Sequence, residues 1–306
     1  MVLAFEFTED EIVRRARRSE RLFALLGLSV LTLTMLVLLS LIIDFMVDGL
    51  ARIDYSFLTS FPSRRPNEAG ILSAWVGSSL VMIVTAALAV PLGVAAGLYL
   101  EEYAPRNVLT NLIEINVTNL AGVPSIIYGL LALGLFIQTF GLGQTIFVAG
   151  LTLALLILPI IIVATREAVR SIPQEVREAA FALGADKWQT VGGYILPAAR
   201  SGILTGTIVG MSRAIGETAP IITIGALTFI AFLPPSPVQA AFPFINFDWL
   251  GSPFTVMPIQ MFNWVSRPQA GFHVNAAATG LILLLMTLLM NGIAIWLRYK
   301  LRKAMR

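Results

Sequence analysis

Long stretches of this chain hold no Asp, Glu, Lys or Arg, among them Leu22–Ile43, Ala69–Leu100 and Ile115–Thr165. A helix crosses a bilayer with about 20 apolar residues. The first two stretches therefore make one span each, and the third is long enough to fold into two. Gly141-Leu142-Gly143-Gln144 is the natural hairpin inside it, since glycine turns cheaply and glutamine suits the interface. Gly202–Ile230 makes a fifth span and Asn275–Leu297 a sixth. Hydrophobic residues at 57 % against 13 % charged lie outside the mix of a soluble domain. The sequence predicts an all-α membrane protein of six transmembrane helices: 22–43, then about 71–100, 116–139, 143–165, 202–231 and 275–297.

Most of the 21 basic residues gather on one side of that arrangement. Arg14, Arg15, Arg17, Arg18 and Arg21 stand in the tail 1–21, Arg106 after the second span, and Arg166, Arg170, Arg177, Lys187 and Arg200 in the loop 166–200. Arg298, Lys300, Arg302, Lys303 and Arg306 fill the tail 298–306. Only Arg52, Arg64, Arg65 and Arg267 face the other way. The positive-inside rule then puts both termini and the loop 166–200 in the cytoplasm, with 44–70 as an outer loop. The first span is longer than a signal-peptide core of about 7–15 residues, and no small-residue cleavage site follows Ile43, so it is read as an uncleaved anchor.

A pI near 9.4 is accordingly a sign of topology, not of nucleic-acid binding. The chain has no cysteine, and His273 is its only histidine, which argues against a thiolate or histidine metal site. None of its lysines follows a glycine-rich loop. It lacks a phosphate-cradling ATP motif and is expected to bind no cofactor itself.

The loop 166–200 reads as two short helices. Ser171 with Gln174 offers a capping box for the first, with Pro173 in its first turn, and Gly184 ends it. Val176, Ala179, Ala180 and Leu183 fall on one face of that helix. Asp186 with Gln189 offers a second box, and Pro197 fixes the entry to the fifth span. A helix resting on the membrane surface is the plain alternative to a docking element.

Glu178-Ala179-Ala180-x3-Gly184 with Leu196-Pro197 resembles the EAA loop of ABC importer permeases, with Tyr194 where isoleucine is usual and Ile195 one place on. Further segments are similar to the A-type permease subunit of phosphate importers. They are Ala89–Gly97 through Tyr99–Tyr103, Asn119–Leu130, Arg213–Pro220, and Pro258–Trp264 with Ser266–Gln269. The resemblance covers roughly 70 to the C-terminus. It implies the type I ABC importer permease fold over 71–297, in a multi-pass protein of a bacterial inner membrane whose outer loops are periplasmic. Glu178, Ala179, Ala180 and Gly184 would couple to an ATPase subunit. Implied partners are a homologous permease, two ATP-binding cassette subunits that hold ATP and Mg, and a periplasmic or lipid-anchored phosphate-binding protein. The chain would be a permease for inorganic phosphate and not an enzyme. A sulfate or molybdate permease shares the same loop, and a gradient-driven anion carrier is the rival from another class.

Arg213 and Glu217 stand four apart, so on one face of a continuous helix. Arg213 lies about 16 Å along the fifth span from Gly202 at 1.5 Å per residue. A charge there costs about 2.5–3.5 kcal/mol or more on insertion scales, so it faces a partner, a cavity or a pathway. Two readings stand: the pair stitches the bundle, or Arg213 offers its planar fork to a passing oxyanion while Glu217 occupies it between events. Asn119, Ser125 and Tyr128 in the third span are further candidates for the path, beside Pro124 as a kink. Helix packing explains them equally well. Pro91, Gly93 and Gly97 are read as packing.

In the outer loop 232–274 the sequence predicts a helix from Pro253, capped by Ser252, to Trp264. Phe254, Phe262 and Trp264 are expected at the interface. Residues 1–68 are read as a span and a tether, with Asp44, Asp48, Asp54 and Glu68 solvated.

Overall fold

The computed structural model describes residues 9–239 and 244–303. Its helices are α1 (Glu9–Gly49), α2 (Tyr55–Thr59), α3 (Leu72–Leu98), α4 (Val108–Leu120), α5 (Ser125–Ala132), α6 (Ile146–Arg170), α7 (Gln174–Ala182), α8 (Lys187–Thr190), α9 (Leu196–Gly216), α10 (Ala219–Thr223), α11 (Met257–Val265) and α12 (Ala270–Lys303). Among the described residues, four helices are long and apolar enough to cross a membrane: Ser19–Arg52, Leu72–Tyr103, Ile146–Arg170 and Ala270–Lys300. A fifth crossing arises if Val108–Leu120 and Ser125–Thr139, bent by 106°, make one.

Two of the six predicted spans therefore differ from unbroken helices. The third bends between Leu120 and Ser125, where Gly122 gives freedom and Pro124 removes a helix donor. The fifth runs from Leu196 to Gly216 and stops, because Glu217 is extended at φ −75° and ψ 122°. Chain 224–230, predicted to continue it, is not helical.

The centre of the bundle is α3, α6 and α9. They approach closely because glycines face side chains across each crossing. A Cβ on Gly150 would strike Val84, one on Gly93 would meet Ile161 at 2.7 Å, and one on Gly206 would strike the Cβ of Ala164. Gly93 and Gly97 thus serve packing. Pro91 and Pro159 sit inside their helices without ending them.

A second core caps one end of the bundle. Phe57, Ile71, Met257, Trp264 and Phe272 are fully buried there. Phe254 (3 % exposed) and Trp264 (0 %) are thus core residues, and only Phe262 is exposed as expected of an interface aromatic. The helix near them starts at Met257, not Pro253, with Val256 as its N-cap. The segment after α1 is more than a tether. Arg52 donates to Asn275 Oδ1 and to the carbonyls of Asn67 and Ala69, and Asp54 caps α2 through the Phe57 N–H. Asp54 also pairs with Arg52 and Glu68 with Arg65, so neither acid is merely solvated.

Among the described residues α1 meets the bundle at this end: Gly49 lies against Ala277 and Ala278, and Phe45 close to Gly280. The pairing is antiparallel, so the basic ends of α1 and α12 point the same way. None of the apolar stretch of α1 is buried.

Candidate functional site: a charged break and a docked loop

Two groups of polar residues bear on the predicted sites. In the first, Arg213 lies in the last turn of α9, where a cation suits the helix C-terminus. Its Nε donates to Glu217 Oε1 at 3.1 Å. The Arg213 side chain is 38 % exposed and that of Glu217 17 %. Glu217 also borders a cavity of about 10 Å³ with Ser78, Met82, Leu153, Val256 and Pro258. Residues of the outer loop thus reach the break itself.

Beyond the break, α10 packs on α5. A Cβ on Gly129 would strike Thr223 Oγ1, and the Pro220 backbone lies 2.6–2.7 Å from the same point. The neighbouring Tyr128 donates its hydroxyl to Leu120 O at 2.9 Å, tying the two arms of the bend together. Ser125 opens α5 and is half-buried.

Asn119 belongs elsewhere. It lines a cavity of about 400 Å³ between α4 and α6 with Glu114, Thr118, Arg166 and Arg170. Arg213, Glu217, Ser125 and Tyr128 are not among the residues that line it.

The second group is the loop 166–200 and its anchorage. α7 starts at Gln174 behind Pro173, with no side-chain cap. Ser171 instead ends α6 and donates to Ala168 O at 2.8 Å. The predicted Ser171–Gln174 box is therefore absent, because α6 runs on to Arg170. The Asp186–Gln189 box does form, at 2.7 and 2.9 Å. Gly184 closes α7 at φ +86°, a conformation open to glycine. Glu178 and Ala179 are exposed, while Ala180 is 3 % exposed and turned inward. Leu183 (83 %) and Trp188 (76 %) stand out from the surface. A π turn at Val191–Ile195 leads into α9; it buries Ile195 completely and leaves Tyr194 half exposed. The shifted isoleucine thus fills the core position.

The loop is held by acids that the sequence reading passed over. Arg177 bonds Glu102 at 2.7 Å and the carbonyls of Val169 and Ile172. Arg166 bonds Glu101 and Glu114, and Arg170 bonds Glu101. The only available signal was that Glu101, Glu102 and Glu114 border charge-free runs opposite an arginine-rich loop.

Residues 89–306 match the family described as "Binding-protein-dependent transport system inner membrane component". The "Phosphate transport system permease protein PstA" of Mycobacterium leprae is 35 % identical over 74 % of this chain and 70 % of that one. The protein of the same name from Yersinia pestis is 28 % identical over 91 % and 89 %. The "Probable ABC transporter permease protein YqgI" of Bacillus subtilis is 32 % identical over 63 % of this chain and 65 %, just under two thirds, of its own length. Among solved structures, an inward-facing MetNI methionine ABC transporter superposes with a TM-score of 0.56 at 15 % identity. It covers 76 % of this chain and 95 % of that one, a likeness of fold.

Proposed function

The chain belongs to the family of inner membrane components of binding-protein-dependent transport systems, and on that premise we propose that it is the permease subunit of an ATP-driven importer for inorganic phosphate. Its fold is that of the type I ABC importer permeases. The observation that carries the choice of cargo is the Arg213–Glu217 pair at the broken end of α9, in a chain whose relatives include phosphate permeases by name.

A guanidinium presents several N–H donors in one plane and matches two oxygens of a tetrahedral oxyanion. Between transport events Glu217 holds the Nε edge of Arg213. An arriving phosphate takes the fork, and the carboxylate gives way. Because the exchange replaces one anion by another, the guanidinium is never left alone in a low-dielectric setting. Tyr128 and Ser125, on the arm that packs against α10, are assigned to the same path. Asn119 takes part at the inner cavity instead.

The path lies between this chain and a homologous permease. Two ATP-binding cassette subunits, which bind ATP and Mg, dock on the loops, one of them under Glu178, Ala179, Ala180 and Gly184. A phosphate-binding protein delivers the anion from outside. This chain performs no covalent chemistry.

The test is uptake of labelled phosphate by proteoliposomes holding the chain with its co-purified partners. Uptake should require ATP, yield to arsenate, and fall in Arg213→Lys. Wild-type rates in Arg213→Lys would refute recognition by the guanidinium fork. Competition by sulfate or molybdate would replace the cargo, and uptake without ATP would make the protein a gradient-driven carrier.

A further inference from the structure

At the inner end of α3, three consecutive residues each hold a different element. The helix closes in a π turn, Tyr99–Tyr103, a local widening that is frequent at functional sites. Glu101 meets Arg166 and Arg170 of α6 at 3.3 and 3.0 Å. Glu102 meets Arg177 of α7 at 2.7 Å. The Tyr103 ring lies under Lys187 of α8 at 5.1 Å. Both helices of the cytoplasmic loop are thus fastened to α3. Arg166 then extends the chain of contacts: its second terminal nitrogen reaches Glu114 of α4 at 2.8 Å.

α4 has little else to hold it. Thr110 is its only buried residue, and its apolar side chains Val108, Leu109, Leu112 and Ile115 are exposed. One end of α4 joins α5 through the Gly122–Pro124 bend. The 400 Å³ cavity between α4 and α6 leaves room for it to swing. Among the described residues, Glu114–Arg166 is the only ion pair on α4. Arg166 is itself nearly buried, its side chain 10 % exposed, and is shared by two carboxylates. Pulling Glu101 away therefore moves Arg166, because separating partly buried partners leaves an uncompensated charge.

We propose that Glu114 is a positioning residue through which the cytoplasmic loop moves α4, the inner arm of the bent span. Displacement of α7 and α8 passes through Glu102 and Tyr103 into the end of α3. From there it runs through Glu101 to Arg166, and from Arg166 to Glu114. The inference rests on the reading above, in that the loop is where an ATP-binding subunit pushes; it does not depend on the cargo.

The experiment is hydrogen exchange on the purified complex with its ATP-binding subunits, with and without ATP plus vanadate. In the wild type, nucleotide trapping changes exchange in both α7 and residues 108–120. In Glu114→Gln the α7 change stays and the α4 change disappears; Glu114→Asp, which keeps the charge, restores it. Glu102→Gln interrupts the same relay from its other end and gives the same loss. Phosphate taken up per ATP hydrolysed falls about tenfold in Glu114→Gln, the weight of one charge-assisted hydrogen bond. An α4 response that survives Glu114→Gln, or is missing from the wild type, overturns the proposal. A wild type whose α4 responds to nucleotide but which imports no phosphate upholds it and sinks the cargo assignment alone.

Discussion

Replacing Glu102 by glutamine should loosen α7 by an amount that follows from its contacts. Glu102 Oε1 accepts from Arg177 Nε at 3.1 Å and from a terminal nitrogen at 2.7 Å, and its side chain is 9 % exposed. Hydrogen bonds to charged groups are worth about 1.5–3 kcal/mol each. Arg177 stays charged when Glu102 becomes an amide, so its bonds remain charge-assisted; what is lost is the ion pair, and removing one partner of a buried pair costs up to about 3–5 kcal/mol. Arg177 keeps its carbonyl partners Val169 and Ile172, and its side chain is 20 % exposed, so water recovers part of the loss. The expected net lies below that limit, at about 1–2 kcal/mol, or roughly a 5–30-fold drop in amide protection across α7. Arg177→Gln should be worse, since it strands the Glu102 carboxylate, and adding Glu102→Gln to it should recover part of the damage. The assay is hydrogen exchange of residues 174–182 in the four-member mutant cycle. Additive effects, or protection that Glu102→Gln leaves unchanged, would refute the reasoning.

Two more expectations follow from packing and from titration. Gly206→Leu should destabilise the bundle by about 1–3 kcal/mol or more, because its Cβ enters the space of the Ala164 Cβ. The yield of monodisperse protein reads this, and Ala164→Gly should relieve part of it. The Asp54 carboxyl is held below its ordinary value of 3.8, first by the Phe57 N–H, then by the Ser56 hydroxyl, with help from Arg52. Its contribution to ordering α2 is therefore complete above that value and lost as pH falls through the lowered one. Amide protection of residues 55–59 should decline in acid in the wild type, and this dependence should be flatter in Asp54→Asn.

What could be read in advance was whatever neighbours in sequence decide. The apolar runs around α1, α3, α6 and α12 became helices, and the Asp186–Gln189 box and the Gly184 stop formed where local rules place them. The failures share a cause. Spacing of four put Arg213 and Glu217 on one helical face, but the helix ends at Gly216, and the pair closes across its frayed end instead. Pro124 announced a kink, whereas its 106° size depends on Tyr128 reaching Leu120 and on Gly129 docking against Pro220. Glu101, Glu102 and Glu114 find partners only after α3, α4 and α6 have packed, so periodicity within one helix gave no hint of them. Asn119 lines the cavity between α4 and α6, a neighbourhood that its place in a span did not disclose.

The isolation of α1 bears on how such a chain could be put together over evolutionary time. Along its most apolar stretch α1 buries nothing, and among the described residues it lies against α12 near Phe45 and Gly49. The family match begins at residue 89, and the structural likeness to the methionine permease leaves about a quarter of the chain outside it. A leading helix of this kind can be gained, lengthened or exchanged without repacking a single side chain between α3, α6 and α9. Along the membrane stretch its sequence is free to drift so long as it remains apolar, whereas Gly49, against the Ala278 backbone, and the glycines of the inner crossings have no such latitude.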